Sequence, residues 1–392
     1  MEKARRVLKI TTGEWYNENR DVRELSVVRG LGAEIVVMAK GEISGIRDEV
    51  SGFDVIRMST KPLGNHMPTS MNRLISVFVW AMKARKIHPD VISCHDLVPL
   101  YIGWLSTLFC RKKNKAKLVY DSHEFTIYAG KKSELHRKLI KILEGFLIKK
   151  CEFTIEVNDQ IAQEVQAIHQ LKNKPIVVRN IPEFWKMDDQ VCLEKREEIV
   201  SAFNKPLQKN DFLLMYHGIV IPERGIETLI ETLAINPHLY LVVLGNGAEE
   251  YLKKLKKLAE ACNVSEKILF HDAVPYDELW KYVGTADLGM ILVKAAWKSY
   301  YYMLPNKFFE NVQACTPVIC SNFPVIKALV DKYQVGLTCN PEKAEEINDC
   351  IEKLRLNSHF YQECKQNMKS AKQELCWEKE QLILKEAYKK IL

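Results

Sequence analysis

The chain has 392 residues, 47% hydrophobic and 27% charged, with a formal net charge of +7; this is more than one core usually organises, so two globular domains are expected and a disordered or fibrous chain is excluded. The charge is uneven, with 31 Lys and Arg against 23 Asp and Glu in residues 1–190 and 26 against 27 in residues 191–392. The basic half suits an anionic surface, whereas a nucleic-acid binder usually carries a larger excess.

Eleven cysteines, without a paired C-x-x-C spacing, argue against zinc and fit a reducing, cytoplasmic compartment. The N-terminus carries charges but no apolar core segment, so no signal peptide is expected. No apolar run reaches the ~18 residues a bilayer span needs.

In the first half, short β-rich runs lie at Val7–Thr11, Glu34–Met38, Asp54–Met58, Asp90–Cys94, Lys117–Tyr120, Phe153–Val157 and Ile176–Val178. Helical periodicity separates most of them, most clearly over 70–87 and 133–150, which predicts βαβ units around a parallel sheet. The first strand is expected to end in Thr11-Thr12-Gly13, where a lone glycine permits a turn. A G-x-G-x-x-G fingerprint is absent. Cys94-His95-Asp96 and Tyr120-Asp121-Ser122-His123-Glu124 close two further strands. Such titratable groups suit the floor of a site, with His123 and His95 able to bond a sugar hydroxyl or steer a proton. The alternative is that they cap helices or pair with one another.

The helix over 133–150 puts Leu135, Leu139, Ile142, Leu143 and Phe146 on one face. An ordinary core helix with a solvated basic face is the expected reading. The alternative is a membrane-facing patch joined by Arg111, Lys112, Lys113, Lys115 and Lys117. Residues 182–209 are polar, lack a strand pattern and read as the interdomain linker with one helix.

A second series of strands follows at Phe212–Tyr216, Leu239–Leu244, Ile268–His271, Leu288–Val293 and Pro317–Cys320. Tyr216-His217-Gly218 ends the first of these, and Pro222-Glu223-Arg224-Gly225-Ile226 is read as a helix start. Arg224 there suits a diphosphate. Gly245 and Gly247, in Leu244-Gly245-Asn246-Gly247, would let backbone approach a nucleotide, and Asp272–Pro275, with Val274, would border a base. Both are equally readable as plain turns. Residues 300–322, YYYMLPNKFFENVQACTPVICSN, hold a loop ending in Leu304-Pro305-Asn306, a helix with Lys307 in its first turn and Glu310 one turn on, then a strand. A helix N-terminus with a lysine suits a diphosphate, and the carboxylate suits ribose or sugar hydroxyls. The alternative is an amphipathic helix capped by Asn306 with a solvated Glu310.

Tyr216–Ile230, Leu241–Gly247, Ala286–Val293 and Leu304–Cys320, in this order, resemble the retaining glycosyltransferases of the GT-B fold, glycosyltransferase family 4. VYDSHEF, VVRNIP and the ending LCWEKEQLILKEAYKKIL agree. The resemblance implies two Rossmann-like α/β domains with parallel sheets facing across a cleft: residues 1–185, rejoined by 376–392 through a terminal helix that crosses back, and residues 186–375. It implies a nucleotide-sugar donor site in the second domain, with Arg224 and Lys307 neutralising the diphosphate, Glu310 holding the ribose, and Gly218, Gly245, Gly247, Val274, Leu304, Pro305 and Asn306 around them. His123 would touch the donor sugar, and Gly13, His95 and Asp96 would lie on the acceptor side. No metal or other cofactor is expected. Three positions depart from the family pattern: Tyr302 stands where a glutamate is frequent, Ile219 follows Gly218 where an arginine is frequent, and Gly13 replaces a double glycine.

The expected function is therefore retaining transfer of a sugar, UDP-linked, to a glycan or lipid-diphosphate-linked acceptor in bacterial surface polysaccharide assembly. The location would be cytoplasmic, with peripheral contact to an anionic membrane and no nucleic-acid partner. The alternatives are a nucleotide-sugar epimerase of the same architecture and a non-catalytic nucleotide-sugar-binding scaffold.

Overall fold

The computed structural model describes residues 4–15, 19–64, 66–108, 110 and 115–392. Two units emerge from it: residues 1–180 with 380–392, and residues 181–379. The switches fall at 180/181 and 379/380, against the expected 185/186 and 375/376.

The first unit is built on β1 (Arg6–Glu14), β2 (Glu34–Lys40), β3 (Arg47–Val50), β4 (Phe53–Met58), β5 (Val91–His95), β6 (Lys117–Asp121), β7 (Phe153–Glu156) and β8 (Ile176–Val177). They form one sheet in the order β3-β4-β2-β1-β5-β6-β7-β8, parallel except for the β3–β4 hairpin. The connecting helices are α1 (Asn19–Gly30), α2 (Thr69–Ile87), α3 (Leu97–Thr107), α4 (Glu134–Ile148) and α5 (Asp159–His169). β1 and β5 are flanked by strands on both sides, and their Val, Leu and Ile residues are buried, as central parallel strands require.

β1 runs on through Gly13 to Glu14, with a register shift between Ile10 and Glu14 against β2. Gly13 therefore lies in an irregular strand end, its N–H donating to Thr11 Oγ1 at 3.1 Å, rather than in a turn after the strand. β3, with the sequence RDEV, escaped the periodicity reading because it is a short, charged edge strand.

α4 departs from the expected core helix. Its buried positions are Glu144, Leu147 and Ile148, while Leu135, Leu139, Ile142, Leu143 and Phe146 face solvent. An amphipathic pattern reports that one face is apolar, and says nothing about whether the fold covers it. Of the basic residues linked to this helix, 111–113 lie outside the described residues.

The second unit holds β9 (Phe212–His217), β10 (Leu239–Leu244), β11 (Ile268–His271), β12 (Leu288–Ile291), β13 (Val318–Ser321) and β14 (Gly336–Cys339), all parallel, in the order β11-β10-β9-β12-β13-β14. Its helices are α6 (Asp189–Ser201), α7 (Ile226–Ile235), α8 (Glu249–Ala261), α9 (Leu279–Val283), α10 (Lys298–Tyr301), α11 (Asn306–Gln313), α12 (Pro324–Tyr333), α13 (Ala344–Leu356) and α14 (Ser358–Glu374). Every residue of β10 is buried. One core joins α7, α8 and α13 to the sheet, and another joins α11, α12 and α14 to β12 and β13.

The last helix, α15 (Trp377–Lys389), straddles the second switch. Its later residues are tied into the first unit. Glu380 pairs in a fork with Arg179 at 2.6 and 3.1 Å, Lys117 donates to the Ile391 carbonyl at 2.9 Å, and Tyr388 packs edge-on to Phe153.

Candidate functional site

In the second sheet the chain proceeds from β9 outward through β10 and β11 on one side, then returns to β12 and proceeds outward on the other. The loops after β9 and β12 thus leave in opposite directions and open a crevice at the carboxyl ends of these strands. Arg224 comes from the first loop. Lys307 and Glu310 come from the helix that follows the second.

α11 begins at Asn306, with Pro305 in the cap position and no side-chain cap. Asn306 is thus the first helical residue rather than the cap, and the first N–H groups of the helix are left unsatisfied by a capping side chain. Lys307 Nζ donates to Tyr216 Oη at 3.3 Å and lies 4.7 Å from that ring's centroid. The Tyr216 hydroxyl in turn donates to the Ile219 carbonyl. Burial, with a further push from Arg224, lowers Lys307 to about 7, and Glu310 opposes the shift only in part. Gly218 makes room for this arrangement. Its φ is +102°, and a Cβ there would fall 2.8 Å from Lys307 Cε and 3.0 Å from Nζ.

Pro222–Arg224 is a single 3-10 turn, and α7 starts only at Ile226, after Gly225. Proline therefore starts the turn rather than the α-helix. Gly225 has φ +72°, and a Cβ would meet the Leu292 carbonyl oxygen at 2.3 Å, so this loop can close against β12 only with glycine. The Arg224 guanidinium lies 5.2 Å from the Tyr300 ring centroid and 3.8 Å from Met303 Sδ. Its Nε is buried without a hydrogen-bond partner among the described residues. Neither Arg224 nor Lys307 forms an ion pair with a carboxylate among those residues.

Glu310 is buried rather than solvated, and its Oε2 lies 2.9 Å from His217 Nε2. His217, at the end of β9, was not singled out from the sequence. Its place directly before Gly218 was the available signal. Leu304 packs against the α11 core and Val274 against the β9–β10 core. The room left by Gly245 and Gly247 is filled by the protein itself: Cβ atoms there would lie 2.1 Å from the Gly218 oxygen and 2.6 Å from the Val220 oxygen. These glycines let the β9 and β10 loops lace together, through Val220 N–H to the Asn246 oxygen at 2.9 Å. Tyr302 stacks obliquely on Tyr301.

The first unit has its own switch point, between β1 and β5. There His95 Nδ1 lies 2.7 Å from Asp21, His123 Nε2 lies 3.0 Å from Asp121, and the two imidazoles stack with centroids 3.6 Å apart. Asp96, with φ +71°, accepts the His123 N–H at 3.2 Å. Beneath them lies a fully buried Lys9, 2.7 Å from Asp21, 3.1 Å from Asp121 and 3.6 Å from Glu24. Arg20 joins Asp121 and Glu24.

Burial disfavours a charged His95, but Asp21 outweighs it and raises the imidazole to about 9. Asp121 is itself penalised by burial, yet His123, Arg20 and Lys9 hold it well below the usual carboxylate range. The Asp21, His95, Asp121 and His123 donor atoms lie within 4.8 Å of one another, a spacing a metal ion could bridge. Lys9 and Arg20 already occupy the two carboxylates, so a cation would have to displace an ammonium to reach both. Lys9 was legible in principle, since a charge inside the run RVLKITT of a central strand demands a partner.

Over part of its length the chain is similar to the group 1 glycosyl transferases. Residues 197–371 match that family's model, described as "Glycosyl transferases group 1", and this segment contains the Arg224, Lys307 and Glu310 site. Among curated proteins, the chain is 26% identical over 182 residues to an O-antigen biosynthesis glycosyltransferase, WclY, of Escherichia coli, covering 45% of this chain and 47% of that protein. It is 27% identical over 143 residues to a GDP-mannose-dependent alpha-(1-6)-phosphatidylinositol monomannoside mannosyltransferase of Mycobacterium tuberculosis, covering 35% and 37%. The chain thus spans less than half the length of these two relatives. Among solved structures, the Anabaena protein HepE in complex with UDP superposes with a TM-score of 0.74 at 13% identity, over 99% of both chains. The group 1 segment and its partner unit therefore have the GT-B fold.

Among the described residues, no helix is long and apolar enough to cross a membrane.

Proposed function

We propose that this chain is a retaining glycosyltransferase that moves a sugar from a nucleoside diphosphate, UDP in the first instance, to a glycan or lipid-linked acceptor. The observation that carries this reading is the pair Arg224 and Lys307, brought to one switch point with no carboxylate among the described residues in ion-pair contact with either. Two uncompensated cations in a partly buried crevice are costly unless an anion joins them, and a diphosphate bridge has the charge to do so. The N-terminus of α11 adds its partial charge on the same side.

In this reading Glu310, aligned by His217, accepts hydrogen bonds from the ribose. The bond from the sugar's anomeric carbon to the diphosphate breaks, and the acceptor oxygen bonds that carbon on the same face. The acceptor proton passes to the departing diphosphate. Arg224 and Lys307 stabilise the charge that grows on the leaving group, which is the work a metal would otherwise do. The E. coli O-antigen relative supports a setting in bacterial surface polysaccharide assembly. HepE with bound UDP supports the uridine choice, and the GDP-mannose-dependent relative names its main rival. His123, His95, Asp96 and Gly13 of the first unit are assigned to the acceptor side. A lipid-linked acceptor would bring the protein to an anionic membrane surface on the cytoplasmic side.

A thermal-shift screen with UDP-, GDP- and ADP-sugars tests the donor. A ligand at 100-fold over its dissociation constant adds about 2.7 kcal/mol. UDP-sugars are expected to shift the wild type and not Arg224→Ala. A shift that survives Arg224→Ala unchanged would remove the diphosphate assignment. Transfer in the presence of EDTA, with the product anomer read by NMR, tests metal independence and retention.

A further inference from the structure

α4 exposes the face that the amphipathic pattern would normally bury. Ile142 is 70% exposed, Leu135 68% and Leu139 57%, with Phe146 and Leu143 beside them. Helix α3 packs against both α4 and α2, and its Trp104 meets Phe146 edge-on at 5.3 Å. On α2, Leu74, Phe78 and Met82 repeat every four residues and are also exposed. Two helices of one unit, α2 and α4, bridged by α3, therefore present large apolar side chains to water, which folded monomers avoid without a partner for them.

The charges around this face have one sign. α2 carries Arg73, Lys83, Arg85 and Lys86 and no carboxylate, and α3 carries no charge. On α4, Lys138 flanks the apolar stripe, the exposed Lys149 and Lys150 follow the helix, and Lys150 lies over the Phe146 ring at 5.2 Å. The carboxylates of α4 are Glu134, paired with Lys138, and the buried Glu144.

We propose that this face is a membrane-docking surface, on which α4 lies in the interface of an anionic bilayer with Leu135, Leu139, Ile142 and Phe146 inserted among the acyl chains. Lysines and arginines at its edge would then meet lipid phosphates. A second copy of the chain fits less well, because self-association would set the basic edge against its own like charges. The proposal takes its purpose from the lipid-linked acceptor suggested above. It is nevertheless testable without donor or acceptor, so its failure is separable from failure of the transferase reading.

The test is co-sedimentation of the full chain with phosphatidylcholine vesicles, with and without phosphatidylglycerol, at low and high salt. Wild type is expected to bind the anionic vesicles and to release with salt. The double variant Leu139→Glu, Ile142→Glu is expected to lose at least about tenfold in partitioning, and Lys138→Gln about fivefold. Both variants change exposed side chains, so circular dichroism and the melting temperature should stay at wild-type values, as should the shift caused by a UDP-sugar. Absence of vesicle binding by wild type, or full binding by the double variant, would overturn the proposal. So would light scattering that shows a wild-type dimer dissociating in the double variant, which would make this face a self-association surface.

Discussion

Each of the two sheets ends, at its switch point, in a group of ionisable side chains, and the two groups follow opposite electrostatic plans. In the first unit Lys9 and Arg20 are met by Asp21, Glu24 and Asp121, and His95 and His123 add two more partners to the carboxylates. Charge is balanced inside the protein. In the second unit Arg224 and Lys307 repel each other, Glu310 is engaged by His217, and burial together with Arg224 holds Lys307 near 7. A balanced buried cluster fixes geometry, whereas an unbalanced one reserves a place for a charge that the chain does not supply.

The largest expected effect is on the balanced side. Lys9→Met would strand two or three buried carboxylates and should cost about 3–5 kcal/mol of stability, read by chemical denaturation. Lys307→Met should do the reverse in kind. It removes a desolvated ammonium, so the melting temperature should hold or rise while nucleotide binding is weakened, a trade expected at functional sites. If both variants destabilised equally, the contrast between the clusters would be wrong.

Gly218→Ala is a smaller perturbation aimed at the same place. Its Cβ would need the space of Lys307 Cε and Nζ at a φ of +102°, so a loss of about 1–3 kcal/mol is expected from backbone strain, with weakened nucleotide affinity. Unchanged affinity would show that the position of the ammonium does not matter.

The pH responses should also oppose one another. His95, raised to about 9, contributes stability that is complete below its ordinary 6.5 and lost as pH rises through about 9. Lys307, lowered to about 7, imposes a cost that is full below about 7 and fades by its ordinary 10.5. Amide hydrogen exchange across this range should show β5, which ends in His95, losing protection while β9, which carries the Tyr216 partner of Lys307, gains it. Parallel trends in both strands would contradict the assignment.

How much of this was legible beforehand differs by element for physical reasons. The inner strands are β-branched runs between helical stretches, so β1, β5, β9 and β10 could be read directly. β14, with the sequence GLTC, opens on a glycine and is too short to give a periodic signal. Arg224, Lys307 and Glu310 can be nominated from the sequence because they lie in short motifs at strand and helix ends. The Lys9 network was not, because its partners come from β1, α1, β5 and β6 and only the folded sheet brings them together. His217 was missed for the same reason, since its partner Glu310 is ninety-three positions away. The exposure of α4 was illegible in principle, because covering a helix face is a property of its neighbours.

Arg224 and Lys307 are proposed to stand without a carboxylate partner because a donor diphosphate completes them. Calorimetric titration of UDP above pH 7, repeated in buffers of different ionisation enthalpy, measures this directly. Net proton uptake on binding is expected as Lys307 is recharged, with affinity falling as pH rises through about 7, and both effects absent in Lys307→Met. Binding with no proton uptake, at an affinity that neither pH nor Lys307→Met alters, would contradict it.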